Sequence, residues 1–154
     1  MTRTDFTQRV RACERRLYRV ARTMLSCDAD CEDAVQEALL KAWAGLRGLR
    51  TDEYFETWLI RILINTCKAM YRHRRPTSPL PEDVPACDGD DHTVHRALMA
   101  LPPRTRVAME LYYIEGYGVR DCARLLRVPE GTVKWRLSQG RKQLKDAIGE
   151  EDLP

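Results

Sequence analysis

The stretch "VPEGTVKWRLSQGRKQLK", Val128 to Lys145, concentrates side chains that can contact a nucleic acid. Val133, Leu137 and Leu144 recur at helical steps and make one apolar stripe. Lys134, Trp135, Ser138, Gln139, Arg141 and Lys142 fall at other angles. Cations and amides on one helix can reach phosphate oxygens and base edges in a major groove. From Val119 to Lys145 there are eight basic residues and two acids. A solvated basic helix in a bundle would carry the same charge. The segment just upstream, "VRDCARLL", forms a second short helix across a tight turn, and this spacing together with the charge points to duplex DNA. Trp135, a large aromatic among charged neighbours, is not needed for the stripe.

Two further stretches have chemical potential. Arg61, Lys68, Arg72, Arg74 and Arg75 crowd the end of a third helix with no acid between them. Tyr54, Phe55, Trp58 and Tyr71 lie close in sequence, and cations interleaved with aromatic rings suit unpaired bases. Equally, Trp58 can be core and the arginines a solvated helix end. In "EDAVQEALLKAW", Asp33, Gln36, Glu37 and Lys41 form a polar face that is either solvated or a docking surface for a partner. A metal or thiol site is the weaker possibility. Cys27 and Cys31 are four apart, and Cys87, His92 and His95 lie in "CDGDDHTVH", but their spacing is irregular for zinc. No nucleophile with its base, no phosphate-cradling glycine loop and no zinc hydrolase helix is present. No catalytic residue, metal or cofactor is therefore expected.

The elements that must position these residues are helical throughout. The first helix runs over about 5–25, with Phe6, Val10, Cys13, Leu17, Val20, Ala21 and Met24 as its apolar stripe. The second runs over about 30–46, with acids in its first turn. Its apolar face is Val35, Ala38, Leu39, Ala42, Trp43 and Leu46. The third runs over about 51–75 and ends at Pro76, with Trp58, Leu59, Ile62, Leu63, Thr66 and Met70 buried. Residues 76–91 hold four prolines and five acids, which marks a flexible acidic linker. A short helix over about 92–100 follows, then one opened by Pro103 and capped at Gly116, and then the helix-turn-helix pair. The expected architecture is all-α: two small helical domains, 1–75 and 92–150, joined by the linker 76–91.

The totals agree. With 154 residues and 44% hydrophobic content, one ordinary domain or two small ones can form a core. The net charge of +3 implies no nucleic acid by itself; its distribution does. No apolar run is long enough to span a membrane, and "MTRTDFTQRV" lacks a secretory h-region, so a cytoplasmic protein without membrane insertion is expected. The six scattered cysteines then read as free thiols.

These stretches together resemble the bacterial sigma factors of the sigma-70 class, of the extracytoplasmic-function (ECF) type. "DADCEDAVQEALLKAW" is similar to the region-two helix that docks on the RNA polymerase clamp. "YFETWLIRILINTCKAMYRHRR" is similar to the promoter-melting segment, and "ALMALPPRTRVAMELYYIEGYGVRDCARLLRVPEGTVKWRLSQGRKQLK" to region four. The resemblance implies polymerase contacts from Asp33, Gln36 and Glu37. It implies capture of the melted minus-ten element near Arg61, Asn65, Lys68, Tyr71 and Arg72. It implies minus-thirty-five contacts from Lys134, Trp135, Ser138 and Gln139, to which the helix pattern adds Arg141 and Lys142. The linker corresponds to a segment that in the family passes near the active-site cleft and RNA exit path.

The chain departs from the family at three places. Trp135 stands where a small residue is usual, Gln139 where a basic one is common, and Cys122 where isoleucine is usual. The loop "GLRGLRTDEYF" stands where the family's loop helps select the minus-ten base, and it is too variable for residue-by-residue roles to carry over. The resemblance implies a non-enzymatic initiation factor. Its partners would be core RNA polymerase, duplex and melted promoter DNA, and an anti-sigma factor. Two rivals remain at this level: a stand-alone helix-turn-helix regulator, and a thiol- or zinc-responsive sensor.

Overall fold

The structure is a computed structural model that describes residues 1–74 and 92–148. They form two compact units, α1 to α3 and α4 to α7, and among the described residues there is no strand. The linker expected over 76–91 and the residue Cys87 lie outside the described residues.

In the first unit, α1 spans Arg3–Met24. Its start is fixed by a reciprocal cap: the Asp5 amide donates to Thr2 Oγ1 at 3.1 Å, and the Thr2 amide donates to Asp5 Oδ2 at 3.0 Å. These bonds to Thr2 hold the Asp5 carboxyl below its ordinary range. Cys13, Leu17, Val20, Ala21 and Met24 are buried, the inner part of the expected stripe. The second helix, α2, spans Asp28–Ala44 and begins earlier than expected, because Cys27 already has the extended backbone of an N-cap. Its buried face is Cys31, Ala34, Val35, Ala38 and Ala42, mostly small residues that let neighbours approach closely. The sequence placed Trp43 in that face; instead it is 45% exposed and lies at the edge, its ring 5.1 Å from the Phe6 ring.

The third helix is preceded by a 3-10 turn, Asp52–Tyr54, so α3 spans Phe55–Arg74. It packs on both α1 and α2. Covering from two sides explains why its buried set is wider than one stripe and adds Ile60, Ile64 and Cys67 to Leu59, Leu63 and Thr66. Trp58, Ile62 and Met70 are only partly buried. Phe55 sits between the Phe6 and Trp58 rings, at centroid distances of 5.6 and 6.0 Å. The ion pair of Arg16 with Glu56 ties the start of α3 to α1, and Arg9 donates to the Asp52 carbonyl of the preceding turn at 3.0 Å.

In the second unit, α4 spans His92–Met99 and α5 spans Pro103–Met109, with Pro103 in its first turn. Residues Glu110–Ile114 continue α5 as a π-helical turn, a wider winding than the regular helix expected. Gly116 follows at φ 81°, a conformation in which glycine carries no Cβ penalty. Next come α6, Val119–Leu126, and α7, Glu130–Ile148. Packing of α7 on α4, α5 and α6 makes the core, with Leu111, Cys122, Leu125, Leu126 and Val133 almost fully buried. Gly140 lets α7 approach α5: a Cβ there would lie 2.7 Å from Met109 Sδ and 3.1 Å from Thr105 Cγ2.

Candidate nucleic-acid and polymerase interfaces

The helix-turn-helix is built as the pattern requires. Leu126 ends α6, and Arg127 turns the chain in the left-handed region at φ 57°, ψ 47°. The Val128 amide then donates back to the Ala123 carbonyl at 3.0 Å, closing the helix end. For a residue with a Cβ the left-handed region costs roughly 1–2 kcal/mol. Pro129 and the N-terminus of α7 follow. Val133 and Leu137 face inward and Leu144 is half-buried, as the spacing predicts. Gly140 completes that buried line, a position the apolar pattern does not reveal.

On the other side of α7, Lys134, Trp135, Ser138, Arg141 and Lys142 are exposed and Gln139 is half-buried at the flank. Trp135 is 62% exposed, so it is largely free of the protein's own packing. Arg141 is not a free cation: it donates to the Tyr113 hydroxyl at 2.8 Å, tying α7 to the π turn of α5. Arg136, which the pattern left unassigned, is half-buried, and burial with Arg104 nearby lowers its pKa.

In the first unit, Arg61, Asn65, Lys68 and Arg72 recur at steps of four, three and four, which places them on one face of α3, with Tyr71 beside them. Arg61 and Arg72 are exposed; Asn65, Lys68 and Tyr71 are half-buried. Of the aromatics near this helix, Phe55 is 2% exposed and belongs to the ring cluster, so it cannot stack on a base; Tyr54 is 61% exposed.

On α2, Asp33, Gln36 and Glu37 are all exposed along one face. Glu37 is held by Lys41 at 3.2 Å, and Lys41 Nζ also donates to Thr66 Oγ1 of α3 at 3.3 Å. That bridge fixes the polar face of α2 against α3. The same face carries Leu40, which is 72% exposed. Leu40 belongs to no apolar stripe, so periodicity does not mark it; its place at i+3 and i+4 from Glu37 and Gln36 does.

Four of the thiols are buried and unreactive. Burial raises Cys13, Cys31 and Cys122 to about 11 and Cys67 to about 12, so these four are protonated near neutral pH. Among the described residues no group of three His, Cys, Asp or Glu could hold a metal ion. No helix among them is long and apolar enough to cross a membrane.

A helix-turn-helix unit and a three-helix unit with a basic face, carried on one chain, are the architecture of a DNA-binding transcription protein. Residues 9–77 match the family model for Sigma-70 region 2, and residues 91–144 that for Sigma-70, region 4. A curated relative in Mycobacterium tuberculosis, the ECF RNA polymerase sigma factor SigM, is 37% identical over 154 residues, covering 96% of this chain and 79% of the relative. The RNA polymerase sigma-H factor of Pseudomonas aeruginosa is 33% identical over 141 residues, 77% of this chain and 73% of its own. Among solved structures, the sigma factor RpoE in complex with the anti-sigma factor NepR from Bartonella quintana is similar with a TM-score of 0.84 at 25% identity, covering 96% of this chain and 98% of that one. CnrH in complex with the cytosolic domain of CnrY is similar with a TM-score of 0.73 at 26% identity, covering 99% of this chain and 92% of that one. The chain belongs to the sigma-70 family of RNA polymerase sigma factors and is of the extracytoplasmic-function type. The rival readings of a stand-alone regulator and of a thiol or zinc sensor fall away with that membership.

Proposed function

We propose that this protein binds core RNA polymerase in the cytoplasm and directs it to a small set of promoters without covalent chemistry of its own. The observation that carries this reading is the succession of a region-two and a region-four match along one chain. Region two is assigned to about 1–75, region four to about 92–150, with 76–91 between them.

The work divides between the units. Exposed Asp33, Gln36 and Glu37 on α2 dock on the polymerase. Arg61, Asn65, Lys68, Tyr71 and Arg72 on α3 hold the melted minus-ten strand. Taking a base out of the stack costs a few kcal/mol, which contacts from such a face must offset. Lys134, Trp135, Ser138, Gln139 and Lys142 on α7 meet the duplex minus-thirty-five element, with Arg141 at the edge of that surface. Phosphate contacts by the lysines and arginines make binding strongly salt-dependent.

We further infer an anti-sigma partner, because a similar solved structure is a sigma factor in complex with an anti-sigma factor. The test is transcription in vitro with core polymerase on genomic templates. Promoter-specific transcripts that appear only when the protein is added support the reading. Failure to bind core and to yield any specific transcript refutes it. A pull-down from the native cell that recovers polymerase but never a small inhibitor counts against the anti-sigma partner.

A further inference from the structure

The turn of the helix-turn-helix carries a feature that the recognition face of α7 does not explain. Arg127 is the only non-glycine among the described residues with positive φ. Asparagine or glycine would occupy the left-handed region with less strain. The side chain is exposed, so no packing requirement holds arginine there. Arg120 and Arg124 lie one turn apart on α6, and Arg127 follows just past its end. They line a shallow cleft of about 520 Å³, together with Ala123, Val128, Pro129 and Glu130. Arg120 and Arg124 are exposed as well, and none of the three forms an ion pair among the described residues. Three like charges around one shallow cleft repel one another, which is a second unfavourable feature at the same place. The nearby acids are Glu130, in the first turn of α7 and on the cleft wall, and Asp121 on α6; both are exposed.

We propose that Arg120, Arg124 and Arg127 form a clamp for the DNA phosphate backbone beside the groove that α7 enters, with the strained Arg127 kept for its charge. This rests on the DNA reading of the second unit. In helix-turn-helix proteins the first helix of the pair crosses the backbone while the second lies in the groove. The cleft lies between the exposed face of α6 and the start of α7, where a phosphate strand passes in such a docking. A phosphate there relieves the mutual repulsion of the arginines. The clamp adds affinity and fixes position without reading sequence.

The experiment uses the full chain assembled with core polymerase, on a short fluorescent duplex of unselected sequence, with core alone as the baseline. Affinity is measured across a salt series, and thermal unfolding is measured on the free chain. Each lost phosphate contact reduces the slope of log affinity against log salt by about 0.9. Arg127→Gly is expected to reduce it by about that amount while the Tm holds or rises by a few degrees. Arg127→Lys should keep the slope. Changing Arg120, Arg124 and Arg127 together to glutamine should reduce it by about 2.7, three times the single effect. Glu130→Gln should tighten binding. An unchanged slope in Arg127→Gly and in the triple variant overturns the clamp, and so does a fall in Tm for Arg127→Gly. If Lys134→Gln lowers the slope while those variants do not, the DNA reading of α7 stands and the clamp alone fails. If the holoenzyme is no more salt-dependent than core alone, the DNA reading fails with it.

Discussion

Leu40 offers the sharpest separation of folding from docking. It is 72% exposed on the same face of α2 as Asp33, Gln36 and Glu37. Full burial of a leucine side chain contributes about 1.5–3 kcal/mol. If polymerase covers the exposed fraction, about 1–2 kcal/mol of docking energy is at stake, and alanine retains only a small part of it. Leu40→Ala is therefore expected to weaken core binding by about 5–30-fold. In the free chain the same change removes little packing and places the best helix former in α2, so stability should stay within about 0.5 kcal/mol. The assay is competition for core polymerase between labelled wild-type chain and the variant, with urea unfolding measured in parallel. Unchanged competition would refute the docking face as drawn. A stability loss above about 1 kcal/mol with normal competition would show Leu40 to be a packing residue.

Three more outcomes follow from the packing and the charges. Trp135→Ser, at a position 62% exposed, should change stability by less than about 1 kcal/mol yet alter which promoters are used, read by transcription from a randomised minus-thirty-five library. A large drop in Tm would mean that the ring covers a neighbouring helix. Gly140→Val should cost about 1–3 kcal/mol by overpacking, because its Cβ alone lies 2.7 Å from Met109 Sδ. Pairing it with Met109→Ala should recover part of that loss in a double-mutant cycle, and strict additivity would contradict the contact. The buried thiols set a pH dependence. Their folded values near 11 to 12 lie above the ordinary 9, so the folded state holds protons that the unfolded state releases. Stability from this source is intact below about 9 and declines as pH rises through 11 to 12. Unfolding midpoints followed into the alkaline range should fall accordingly, and less steeply in Cys67→Ala once its own packing loss at neutral pH is subtracted.

Sequence alone determined the helical class, the two-unit division and the pairing of α6 with α7, because these rest on period, proline punctuation and charge runs. The stripe Val133, Leu137, Leu144 was legible because neighbours cover only one side of α7 there. The buried face of α3 is wider than its periodic stripe: contact with both α1 and α2 buries Ile60, Ile64 and Cys67, and coverage from two sides leaves no periodic trace. Trp43 was misplaced for the converse reason, since hydrophobicity says nothing of a helix edge where the partner surface has run out. The π turn after Met109, the bond from Arg141 to Tyr113 and the exposure of Leu40 and Trp135 belong to the tertiary structure. So does the left-handed Arg127, which ends α6 and turns the chain toward α7 against the ordinary preference of a residue with a Cβ.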